Sequence, residues 1–144
     1  MRRINGGGAF RFCIHVMPLI IPQIVTTANG PAVVHSRDFS PVTSSNPAAA
    51  GEILSLFATG LGAVRVLLDP GEPFPANPPA EVNSPVQVTV NGKLTKLIGA
   101  VGYPGTRDGY QVNFRLPAET SKGVVNIALS AAWIPSIPVT IAVQ

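Results

Sequence analysis

The sequence contains little charge and almost no cysteine. Only 12% of its 144 residues are charged, about half of the fraction that is usual in globular domains. Because 46% of the residues are hydrophobic, the chain lacks the composition of an intrinsically disordered protein. The single cysteine, Cys13, cannot form an internal disulfide, and no CxxC or paired-histidine spacing predicts a zinc site. We predict no cofactor.

Long apolar runs and clusters of basic residues are also missing. The apolar patch from Phe10 to Val25 is interrupted by Arg11, His15 and two prolines, so it is too broken for a membrane-spanning helix. From residue 30 onward, seven basic residues are balanced by seven acidic ones. We therefore predict that the chain neither binds nucleic acid nor spans a membrane.

The first 30 residues differ from the rest of the chain. Arg2 and Arg3, the apolar patch and the small residues at 26–28 match the order of parts in a secretory signal peptide that is cleaved before Asn29. The prolines and histidine within the patch are unusual for a signal peptide. An extended arm that packs on the domain, or the end of a longer parent protein, is therefore an alternative. We divide the chain into this segment, 1–30, and a domain over 31–144.

The domain has the pattern of short strands separated by turns. The many prolines (15) and glycines (14) of the chain fit this pattern, and only 118–122 could form a single helical turn. Asn91-Gly92 between two alternating runs is a strong hairpin signal. We expect loops at 67–85, crossing the surface between two sheets, at 99–109 and, as a loop or strand crossing, at 131–135. The predicted strands are 32–34, 52–59, 86–90, 93–97, 110–116, 124–129 and 138–143, which together indicate an all-β antiparallel sandwich.

Several motifs occur in a recognisable order. They are GEILSLFATGLG at 51–62, VQVTVNG at 86–92, YQVNFRLP at 110–117 and PVTIAV at 138–143. Together they resemble the C-terminal β-sandwich domain of large extracellular proteins of acidobacteria such as Solibacter. The resemblance covers roughly residues 31–144. It implies an immunoglobulin-like fold of the IPT/TIG kind, secretion, and a position at the end of a multidomain chain, and it brings no catalytic residue with it.

No group of polar residues predicts an active site. His35, Ser36 and Asp38 are neighbours, but adjacent residues on an extended segment point in different directions, and no nucleophile-elbow motif is present. Four loop acids could bind calcium only if their loops converged, and their spacing matches no calcium-binding loop, so we favour solvated side chains. These acids are Asp69, Glu72, Glu81 and Asp108.

Three loop aromatics are candidates for contact with a ligand or partner. Phe74, Tyr103 and Trp133 each lie in or beside a loop that contains proline or glycine. For Trp133 the commoner alternative is a ring that caps the end of the core. Phe57 and Phe114 have the pattern of core residues.

These observations favour a non-catalytic extracellular module with a structural or adhesive role. Its partners would be other protein domains or a surface glycan, and edge strands or the N-terminal segment could support self-association. The alternative is an accessory domain of a secreted hydrolase, with a carbohydrate-binding role.

Overall fold

The fold consists entirely of strands and turns in the part of the chain that can be described. The computed structural model describes residues 21–28, 30–65, 68 and 72–144. No helix in these ranges is long and apolar enough to cross a membrane. The strands are β1 (Gln23–Ile24), β2 (Thr26–Thr27), β3 (Gly30–Pro31), β4 (Val33–His35), β5 (Ile53–Thr59), β6 (Val86–Val90), β7 (Lys93–Leu94), β8 (Lys96–Gly102), β9 (Tyr110–Arg115), β10 (Gly123–Ala131), β11 (Ile134–Pro135) and β12 (Val139–Val143).

The strands form two antiparallel five-stranded sheets and a short ribbon. The first sheet has the order β1-β5-β9-β8, with β4 also paired to β5. The second sheet has the order β11-β10-β6-β7, with β12 also paired to β10, while β2 and β3 form the ribbon. The all-β prediction is thereby confirmed, and the arrangement is that of a β-sandwich.

One hydrophobic core lies between the inner faces of the two sheets. Buried and more exposed side chains alternate along β9 and β10, so every second side chain faces this core, as the sequence predicts. Burial of these apolar side chains is the main source of stability. The largest fully buried hydrophobic residues are Val33, Leu54, Leu56, Leu61, Val88, Val112, Phe114, Leu116, Val125, Ile127 and Leu129.

The segment after the predicted Asn91-Gly92 hairpin differs from expectation. Both turn residues have positive φ, 50° and 80°, as a type I′ turn requires. The predicted strand 93–97 is instead divided at Thr95, whose N–H and hydroxyl both donate to the Val88 carbonyl oxygen at 2.9 Å. The chain then crosses to the first sheet as β8, which extends to Gly102 and into the predicted 99–109 loop.

Two further connections also differ. The 131–135 segment is a hairpin rather than a loop or strand crossing, because Ala132 and Trp133 adopt φ of 50° and 69° and return the chain as β11. Residues 118–122 form a turn rather than a helical turn, and Thr120 donates from its N–H and hydroxyl to the Pro117 carbonyl oxygen.

The N-terminal part that the structure describes belongs to the sandwich. Ile24 is buried in the core, and β1 pairs with the end of β5. Cleavage before Asn29 would therefore remove one strand from the first sheet.

Neighbouring segments cover much of the sheet edges. The Val42 N–H donates to the Val33 carbonyl oxygen on β4. Ala48 forms a parallel bridge with Val143 at the end of β12. Along β8, Val82 donates to Ala100 and Gly102 donates to Ala80. The 80–82 part of the proline-rich stretch thus runs beside the first sheet with Ala80 and Val82 buried, instead of crossing the surface as predicted.

Candidate functional site

Three aromatic rings form a row on the outer face of the first sheet. Phe57 lies at the centre, with its ring centroid 6.5 Å from that of Phe39 and 5.5 Å from that of Tyr103. Both outer rings are nearly perpendicular to the central one, at 78° and 88°. Phe39 is 52% exposed and Tyr103 is 40% exposed. We call this row the aromatic strip.

Strand register places Phe57 and Tyr103 on this face. Phe57 pairs with Gln111, while its neighbours Leu56 and Ala58 are fully buried on the inner side. The assignment of Phe57 to the core is therefore wrong: it projects from the opposite face of β5. Tyr103 follows β8, and its N–H donates to the Gly109 carbonyl oxygen at 2.7 Å.

Phe39 is held over the sheet in an unfavourable backbone conformation. Its φ is 58°, a left-handed value that is a genuine outlier for a bulky side chain. The Phe39 N–H donates to the His35 carbonyl oxygen at 2.7 Å. Beside it, the Asp38 carboxylate accepts hydrogen bonds from the N–H and hydroxyl of Ser40 at 3.0 and 2.7 Å. These bonds, the hydroxyl bond foremost, lower the pKa of Asp38.

A buried histidine anchors this loop. His35 is 1% exposed, its Nδ1 lies against the Glu52 carboxylate, and its Nε2 donates to the Asn46 carbonyl oxygen at 3.0 Å. The Asn46 amide in turn donates to Ser40 Oγ and to the Pro41 carbonyl oxygen, both at 3.1 Å. Both ring nitrogens of His35 are thus occupied, and the loop that carries Phe39 is tied to β5.

A polar network lies beside the aromatic strip. Ser55 is fully buried, and its hydroxyl donates to Asn113 Oδ1 at 2.6 Å and lies 3.3 Å from Ser36 Oγ. Gln111 Nε2 donates to the same Asn113 oxygen at 3.1 Å. Within the described part of the chain, Asn113 Nδ2 and Gln111 Oε1 have no hydrogen-bond partner. These half-buried groups therefore offer donors and acceptors to a ligand on this face.

The structure separates the three aromatics that the sequence singles out. Tyr103 belongs to the aromatic strip. Phe74 is only 8% exposed, because its ring lies 5.2 Å from that of Tyr110 and fills the space above Gly102, where a Cβ atom would meet it at 2.4 Å. Phe74 is thus a core residue. Trp133 is 70% exposed at the β10–β11 turn of the second sheet, so it does not cap the core.

The polar residues that could suggest catalysis have separate structural partners. His35 contacts Glu52, Ser36 contacts Ser55, and Asp38 holds Ser40. The loop acids do not converge in the described residues: Glu81 pairs with Arg65 at 3.1 Å, and Asp108 accepts from the Gly60 N–H. In this part of the chain no three potential metal-binding side chains meet, and Asp69 lies outside it.

Sequence analysis overlooked two of the three residues of the strip. Phe39 lies within Asp38-Phe39-Ser40-Pro41, a turn-forming context that could have signalled a ring on a surface loop. Comparison with family models, curated proteins and solved structures finds nothing that matches this chain. Its function must therefore be inferred from the site itself.

Proposed function

We propose that this chain is a non-catalytic module of an extracellular bacterial protein, and that it adheres to a surface glycan through the aromatic strip. The observation that supports this most directly is the row of Phe39, Phe57 and Tyr103 rings, in which Phe39 and Tyr103 are exposed. Phe39 has a left-handed φ of 58°, which costs of order 1–3 kcal/mol, and Trp133 on the other sheet shares this conformation at 69°.

The chemistry of the strip and its neighbours suits a sugar chain. The face of an aromatic ring carries the negative part of its quadrupole and attracts polarised C–H groups, which line the faces of a pyranose. Asn113 Nδ2 and Gln111 Oε1 lie beside the rings and can bond sugar hydroxyls. Binding sites commonly combine such apolar surface with a few placed polar groups.

The structural roles of His35, Ser36 and Asp38 support a module without catalysis. A nucleophile needs an oriented base within hydrogen-bond reach, whereas the His35 ring is directed to Glu52 and Asn46. The same glycan surface would serve an accessory domain of a secreted hydrolase, with the chemistry elsewhere in the parent protein.

Native affinity electrophoresis in gels containing individual polysaccharides tests the proposal. We expect at least one polymer to retard the chain, and Tyr103→Ala to weaken the retardation about tenfold, the loss of one good stacking contact. Trp133→Ala is the matched control, since it removes an exposed ring from the other sheet. If Trp133→Ala abolished binding while Tyr103→Ala did not, the strip would be the wrong site.

Self-association is a second candidate, favoured by a stretch of β8 that the described residues leave uncovered. A cleft of about 590 Å³ lies between β6 and β8, where the 97–99 bulge leaves Ile98 unpaired and exposed. A strand from another copy could pair there. Light scattering after size exclusion should then show a concentration-dependent dimer that Ile98→Lys dissociates, whereas a monomer at all concentrations would reject this candidate.

A further inference from the structure

We infer that the glycan is acidic, and that carboxylates of a polyuronate chain bind a cationic cavity next to the aromatic strip. This inference rests on the proposed function and adds the charge of the ligand. The cavity, of about 390 Å³, is lined by Ser36, Arg37, Gly51, Glu52, Ile53 and Arg115. We call it the anion cavity.

The anion cavity and the strip share one sheet face. Ile53 and Phe57 both point outward from β5, four residues apart, which corresponds to about 13 Å along a strand. Ser55 lies between them with the polar network. A chain running along β5 would therefore meet cations, then amides, then aromatic rings.

The charges in the cavity leave a positive excess. Glu52 is already engaged by His35 and by the Ala49 N–H at 2.9 Å. Arg115 donates to the Gly51 carbonyl oxygen at 2.8 Å, but in the described residues it has no carboxylate partner. Lys96 lies opposite Arg115 in the β8–β9 register and also has none there.

The second guanidinium of the cavity is exposed and only loosely paired. Arg37 is 3.8 Å from Asp38 and 3.9 Å from Glu52, too far for hydrogen bonds. Two exposed arginines can each present a fork of N–H donors that matches the geometry of a carboxylate. An incoming carboxylate would gain charge-assisted bonds without displacing a strong internal ion pair.

A uronate chain combines the features that this face requires. Each unit presents pyranose C–H groups for stacking, hydroxyls for the amides and a carboxylate for the arginines. A single nucleic-acid strand could also stack and carry charge. Such binders, however, follow the backbone with a cationic groove, whereas the cations here are grouped at one end of the strip.

The test compares each polyuronate with its own neutral methyl ester. Gels would contain polygalacturonate, alginate or polyglucuronate, each acid or esterified, with dextran sulfate and oligothymidylate as other polyanions. We expect retardation by at least one polyuronate, at least tenfold weaker for its ester and decreasing with salt. Arg37→Gln and Arg115→Gln should each weaken binding several-fold, and Arg115→Lys should restore part of it. Lys122→Gln removes an exposed charge that does not line the cavity and should have no effect.

The outcomes separate this inference from the proposed function. Equal retardation by acid and ester, or unchanged binding by a folded Arg37→Gln variant, would overturn the acidic ligand while leaving the strip as a glycan surface. Equal or stronger binding of dextran sulfate or oligothymidylate would overturn the uronate assignment. No retardation by any neutral or charged polysaccharide would overturn both proposals.

Discussion

The two sheets share a core but differ on their outer faces. The first sheet carries the aromatic strip, the polar network and a loop anchored by His35. The outer face of the second sheet carries no aromatic side chain on its strands. Its outward residues there are small or polar, apart from the exposed Leu94, Val124 and Pro135: Gln87, Thr89, Asn126, Ala128, Ser130, Thr140 and Ala142.

This difference shows which features of the outer face are not needed to form the sandwich. The second sheet forms without aromatic side chains on the outer face of its strands. On the first sheet, Ser55 and His35 are buried polar groups that lose hydration and must be compensated by hydrogen bonds. These two groups position the Phe39 loop and the Asn113 amide, whereas the buried Ser136 of the second sheet accepts from the Leu129 N–H.

Loss of the His35 anchor should have the largest effect on the first face. His35→Ala leaves the Glu52 carboxylate without its partner, and breaking a buried pair in this way costs about 3 kcal/mol. We expect denaturant unfolding to show this loss, together with loss of glycan binding because the Phe39 loop is released.

Glu52→Gln is the control for His35→Ala. A glutamine at 52 can still accept from the Ala49 N–H and keeps a hydrogen-bonding amide beside His35 Nδ1. We therefore expect a loss of only about 1 kcal/mol. A His35→Ala variant as stable as the wild-type chain would show that the loop is held by other contacts.

Gly102→Ala should have the next largest effect, and it acts on the core below the strip. An added Cβ would meet the Phe74 ring at 2.4 Å. Overpacking of this kind costs about 2 kcal/mol. Gly99→Ala is the control on the same strand, because a Cβ there has no atom within 4 Å. Equal thermal midpoints for the two variants would contradict the packing of Phe74 on Gly102.

The positions of Phe57 and Phe74 could not be predicted from the sequence, whereas other core faces could. Alternation in β9 and β10 is explicit, so their core faces could be predicted from side-chain order alone. Phe57 lies in a strand whose outward positions hold both apolar and polar residues, so its direction depends on pairing with β9. Phe74 is buried because a distant glycine leaves space for its ring. Neither tertiary contact has a local signal.

Tyr110 tests whether the shared core can be weakened without altering either face. Its hydroxyl donates to the Gly62 carbonyl oxygen at 2.6 Å, and burial, with a smaller contribution from Asp108, raises its pKa from 10.0 to about 12. The unfolded chain therefore loses this proton first, and stability should fall as pH rises from about 10 to 12. Tyr110→Phe should cost about 1 kcal/mol at neutral pH and flatten that alkaline slope. An unchanged slope in denaturant titrations would contradict this role.

The smallest effects on stability should separate the two faces most clearly. Phe39 and Trp133 are exposed aromatics with positive φ, 58° and 69°, one on each sheet. Replacing either with glycine relieves a left-handed strain of about 1 kcal/mol, so both variants should be as stable as the wild-type chain or slightly more stable. Only Phe39→Gly should lose glycan retardation. If both variants bound normally, Phe39 would not contact the glycan. Its left-handed conformation would then be a feature of the loop alone, and the two outer faces would differ in structure but not in binding.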